Sequence, residues 1–74
     1  MMNYKDLQQY SKWKLGKELD ELLHKVHCWY NICKYYHIFH PTDYLEYAGY
    51  DEALTKADKY CYLIVKIREE LDTR

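Results

Sequence analysis

LGKELDELLHKVHCWYNICKYY, residues 15–36, decides the fold. Leu15, Leu19, Leu22, Val26, Trp29, Cys33 and Tyr36 recur in it at alternating four- and three-residue steps, which line one stripe of an α-helix. Upstream, Asn3 can cap the start with Asp6 in the first turn; downstream, Pro41 keeps the residue before it out of the α region and ends the segment. Helix one therefore spans about Tyr4 to Phe39. Gly16 is a place where a short N-terminal piece would split off, since a mid-helix glycine costs about 1 kcal/mol relative to alanine.

Beyond Pro41, Asp43 followed by Glu46 has the form of a capping box and starts helix two. Its inner face is read as Tyr47, Tyr50, Leu54, Ala57, Cys61, Ile64 and Leu71, with a parallel row of Ala53, Tyr60 and Ile67; Gly49 would split off a first turn at Tyr44 to Ala48. The short connection around His40 and Pro41 sets the helices antiparallel. The fold class is all-α, an antiparallel two-helix hairpin forming one domain over residues 1–74.

On a helical wheel the apolar residues of helix two cover an arc of roughly 200°, and helix one adds Ile32 on one flank with Leu23 and Tyr30 on the other. One partner helix cannot cover so wide an arc. The sequence thus predicts a homo-oligomer, a bundle of at least two hairpins.

Composition narrows the function. The net charge of -1 with 31% charged residues gives no basic surplus for sequence-specific nucleic acid binding. Three cysteines at no framework spacing and an N-terminus without signal-peptide succession predict a cytoplasmic setting. The longest apolar run, Tyr60 to Val65, falls far short of the ~20 residues that span a bilayer, so no membrane segment is predicted. Ten tyrosines exceed what so small a core needs and suit an interface.

Chemistry-bearing patterns are few. Cys33, His37 and His40 share a helical face at zinc-compatible spacing, but Cys33 belongs to the core stripe, so no metal or other cofactor is predicted. Glu18 and Glu21 form an acidic pair without the second pair that magnesium-dependent helical pyrophosphohydrolases carry; a single serine and no phosphate loop leave no catalytic residues to name. A non-enzymatic protein is predicted. The turn region gathers aromatic and polar side chains, and Tyr30, Lys34, Tyr35, His37, Tyr44 and Tyr47 are its candidate partner-binding residues.

Tyr4-Lys5-Asp6-Leu7, Trp13-Lys14 and Gly16-Lys17-Glu18-Leu19, followed by Leu22 and Val26, resemble the phage anti-CBASS sponge family, small helical hairpins that sequester cyclic oligonucleotide signals. That family carries a Tyr-Arg-x-Leu element and then an apolar-Lys-x-x-Gly-x-Glu-Leu segment; Ala53, Thr55, Val65 and Lys66 fall where it has Ala, Thr, Val and Arg. Here the stretch between the Tyr and Lys elements is several residues shorter, and Lys14 precedes its glycine by two positions rather than three. The resemblance implies a symmetric oligomer in the host cytoplasm that binds a cyclic oligonucleotide between protomers, with Tyr4 stacking on a base and Lys14 meeting phosphate. The alternative reading is an inhibitor or adaptor, anti-CRISPR-like, directed at a host defence protein or another host enzyme through its tyrosine-rich surface.

Overall fold

A computed structural model describes residues 2–74. The chain runs through a 3₁₀ turn at Leu7–Gln9, helix α1 at Lys12–Phe39, a second 3₁₀ turn at Tyr44–Glu46 and helix α2 at Ala48–Asp72. The two long helices pack against each other as an antiparallel hairpin measuring 46 × 20 × 18 Å, and the described residues form no strand. No helix among them is long and apolar enough to cross a membrane.

All seven residues of the α1 stripe turn inward: Leu15, Leu22 and Cys33 are buried, and Leu19, Val26, Trp29 and Tyr36 are partly so. On α2 the seam is Tyr50, Ala53, Ala57, Tyr60, Ile64, Ile67 and Leu71, an uninterrupted alternation of three- and four-residue steps. Both helices therefore carry the 3.5-residue repeat of a coiled-coil seam. This corrects the row read from sequence. Leu54 and Tyr47 lie outside the seam at 36% exposure, while the fully buried Ala53 and Ala57 take the central positions, their small side chains leaving room for Cys33 and its neighbours.

The helix starts also differ from expectation. Helix α1 begins at Lys12, not Tyr4, because Ser11 takes an extended conformation and its Oγ accepts the Lys14 N–H at 3.1 Å, satisfying one of the free donors of the first turn. Asn3 caps only a local turn, accepting the Lys5 N–H at 3.0 Å, and Gly16 lies within an unbroken helix. Asp43 directs its carboxylate to His40 Nδ1 at 3.5 Å instead of completing a capping box, so Tyr44–Glu46 is a separate 3₁₀ turn and α2 starts after Tyr47. The break near the turn is real, but it falls at Tyr47 rather than at Gly49.

Two buried clusters hold the hairpin. At the open end Met2, Leu7, Leu15, Leu22, Ile64 and Ile67 pack together, flanked by Tyr4, Tyr10 and Leu71; near the turn Cys33, Tyr50 and Ala53 pack with Trp29, Tyr36 and Tyr44. Leu15, Leu22 and Ile67 are the largest side chains shut off from water, each worth about 1.5–3 kcal/mol of transfer free energy. The N-terminal segment is tied down by polar contacts as well. Tyr10 Oη accepts the Asn3 N–H at 2.7 Å, and the Arg74 guanidinium donates to the carbonyls of Leu7 and Gln8 at 3.2 and 3.3 Å and to Glu70 at 3.2 Å.

Candidate functional site

At the turn the aromatic residues close on one another. His37 Nε2 lies 3.1 Å from the Tyr50 hydroxyl, and the His37 ring stands 4.2 Å from that of Tyr44; His40 lies 4.4 Å from Tyr47, and Tyr36 5.3 Å from Tyr47 and 6.1 Å from Tyr50. Gly49 makes this possible, because the Tyr36 hydroxyl occupies the space a Cβ there would need. Burial among the rings pushes the Tyr50 hydroxyl above its ordinary pKa. Three of the candidate partner residues, His37, Tyr44 and Tyr47, thus use part of their surface to fasten the turn.

Tyr35 is placed differently. It faces away from the seam, its ring 4.8 Å from Phe39, and with Cys28, Ile32 and Phe39 it forms a ridge at steps of four, three and four residues along the back of α1. All four are exposed, Phe39 to 64%. Ile32 and Tyr35 are among the residues marked by the sequence and Phe39 is not, although the 28, 32, 35, 39 spacing carries its signal.

Tyr30 and Lys34 sit on another face of α1. The Tyr30 hydroxyl lies 3.7 Å from Cys61 Sγ on α2, and that contact first, then partial burial and the nearby Asp58 carboxylate, raise its pKa. Around it Leu23, Leu54 and Val65 are exposed. On the opposite flank the seam is covered by lysine stems: Lys25 Nζ lies 5.5 Å from the Tyr60 ring and Lys56 Nζ 5.7 Å from that of Trp29.

At the open end Tyr4 is half-buried against the core, and its hydroxyl donates to Glu18 Oε1 at 2.7 Å. Burial first, and then this hydrogen bond and the charge of Glu18, hold the Tyr4 hydroxyl well above the ordinary tyrosine range. Lys14, exposed, lies one helical turn before Glu18 on α1, and among the described residues its side chain forms no ion pair with that carboxylate. Beside Tyr4, a groove of about 380 Å³ between the N-terminal segment and the end of α2 is lined by Lys5 and Lys66 together with Asp6, Glu69 and Glu70.

Among the described residues no three His, Cys, Asp or Glu side chains gather as a metal-ligand set: Cys33 is turned into the seam, where burial raises its thiol pKa, and His37 and His40 are engaged by Tyr50 and Asp43. Set against known protein families, characterised proteins and solved structures, the chain matches none.

Proposed function

We propose that this protein is a non-enzymatic helical binding module that docks the ridge of Cys28, Ile32, Tyr35 and Phe39 into an apolar groove of a target protein, as an inhibitor or adaptor. One observation carries the reading. The ridge repeats at the i, i+4, i+7, i+11 spacing with which an amphipathic helix anchors in a groove, and it lies on the side of α1 that its own partner helix does not need. Aromatic anchors of this kind supply most of the energy of such interfaces. Affinity purification from host lysate, followed by reconstitution with the purified partner, tests it. Binding is lost in a Tyr35→Ala, Phe39→Ala double variant and kept in Trp13→Ala, an equally exposed aromatic near the open end; a double variant that binds as wild type refutes the assignment.

Sequestration of a cyclic oligonucleotide in phage counter-defence is a second reading, favoured by the placement of Lys14 one helical turn from Glu18, the carboxylate that Tyr4 engages. It ranks behind because Glu18 places a negative charge where phosphate would come and holds the Tyr4 hydroxyl. Calorimetry with a panel of cyclic di- and trinucleotides decides it: a silent panel removes the reading, whereas saturable heat that disappears with Lys14→Ala places it first.

A further inference from the structure

The face made by Leu23 and Tyr30 of α1 with Leu54, Cys61 and Val65 of α2, and Tyr62 at its edge, differs from both the ridge and the lysine-covered flank. We propose that it pairs with the same face of a second copy of this chain, about a two-fold axis parallel to the helices, so that α1 of each hairpin lies antiparallel against α2 of the other.

Area supports a second copy. Leu23, Tyr30, Leu54, Tyr62 and Val65 are between 36% and 61% exposed. At roughly 200 Å² per side chain they hold about 500 Å², or about 1,000 Å² over two copies, the lower bound for a biological interface. On the flank across the seam Lys25 and Lys56 lay their stems over Tyr60 and Trp29, whereas on this face a lysine covers only the edge residue, Lys66 Nζ lying 5.1 Å from the Tyr62 ring.

Charge selects the symmetry. Beyond the apolar centre, the α1 edge carries His27 and Lys34 and the α2 edge carries Asp51 and Asp58, each pair seven residues apart. Among the described residues none of these four joins an ion pair; the pairs there are Glu70–Arg74 and, with His40 protonated, His40–Asp43. Like edges meet if α1 faces α1, and opposite edges meet if α1 faces α2.

Register follows from the hairpin itself. Lys25 faces Tyr60, Trp29 faces Lys56, and Tyr36 faces Tyr50, so positions whose numbers add to 85 or 86 stand at one height. The proposed axis preserves heights. Lys34 then meets the second copy's Asp51, and His27 meets its Asp58, while Leu23 falls level with Tyr62 and Tyr30 within one residue of Leu54. The second copy completes a four-helix bundle in which every neighbouring pair is antiparallel, and the two ridges remain outside, on opposite sides.

Light scattering on the purified chain over a range of concentrations tests the proposal, with circular dichroism to verify that each variant is folded. Wild type shows twice the 9.2 kDa chain mass. Val65→Glu, at an exposed position, yields folded monomer. Lys34→Asp and Asp51→Lys each shift the dimer dissociation to at least tenfold higher concentration, and the double exchange restores it toward wild type. A wild-type chain that stays monomeric at all concentrations, a larger closed assembly, or a double exchange that fails to restore the dimer overturns the arrangement. None of these results depends on whether the ridge has a target, so the two ideas fail separately.

Discussion

Replacing Gly49 by alanine sets helix propensity against packing, and packing wins. Gly49 is the second residue of α2, where exchange for alanine gains less than the ~1 kcal/mol of a mid-helix site. The new methyl collides with the Tyr36 hydroxyl and comes within 3.3 Å of the Tyr36 Cζ. Tyr36 cannot swing aside freely, because Tyr47, His40 and Tyr50 stand around it with centroids 5.3, 6.0 and 6.1 Å away. Disturbing two such ring pairs costs about 0.5–1.5 kcal/mol each, which leaves a net loss of about 1–2 kcal/mol. Tyr36→Phe removes the colliding oxygen and leaves the ring carbon at a distance that a shift of a few tenths of an ångström accommodates. The double variant is therefore more stable than the sum of the two single losses, by a coupling of about 1 kcal/mol. Urea titration by circular dichroism at one fixed protein concentration measures all four corners of the cycle. If Gly49→Ala is as stable as wild type, or the coupling is nil, the account of the turn is wrong. Gly16→Ala is the contrasting substitution: nothing lies within 4 Å of the added methyl, so stability rises by about 1 kcal/mol and the melting temperature by about 4–8 °C.

Ser11→Ala removes the cap of α1 and lowers stability by about 1 kcal/mol in the same titration, with Ser11→Asp close to neutral. Arg74→Ala releases the Leu7 and Gln8 carbonyls, and hydrogen exchange speeds up over residues 3–10 while the seam around Leu22 and Ile64 keeps its protection. The Tyr4 hydroxyl has a folded pKa raised by burial and by Glu18; its neutral form is the one the fold favours, so its contribution is complete below the unfolded value of about 10 and is lost as pH rises past it. Alkaline unfolding is accordingly less steep in Tyr4→Phe, and ultraviolet titration of the folded chains shows one late-ionising tyrosine fewer in Tyr4→Phe than in wild type. Equal alkaline limbs for the two proteins would contradict the assigned environment.

The hairpin was legible because the α1 stripe is unambiguous: only one face of residues 15–36 keeps an alternating four-three step. On α2 the apolar arc is wide enough for two rows one residue apart, and hydrophobicity alone preferred Leu54 over Ala53. Close approach of the backbones reversed that choice, since Ala53 and Ala57 fit between the helices where Leu54 does not. The start of α1 was misplaced because no glycine or proline marks residues 10–11. Ser11, four residues ahead of the first buried leucine of α1, was the available sign. Of the binding residues, Tyr35 and Tyr30 were identified from sequence, but their membership of different faces was not, because that depends on where the turn places α2. The engagement of Tyr4 by Glu18 joins residues fourteen apart across a non-helical segment and has no periodic signature.

The division of the interior into a turn cluster and an open-end cluster sets an order of assembly in time. Cys33 and Ala53, twenty residues apart, meet across a short loop, whereas Leu15 and Ile67 are separated by fifty-two. Loop closure alone makes the second pairing about 0.8 kcal/mol harder if it comes first, and pairing at the turn removes that penalty. The hairpin therefore zips from Tyr36 and Tyr50 toward the ends. Substitutions near the turn act on the rate of folding, and substitutions at Leu15 or Ile67 act on the rate of unfolding, although the larger share of buried apolar surface lies with the latter.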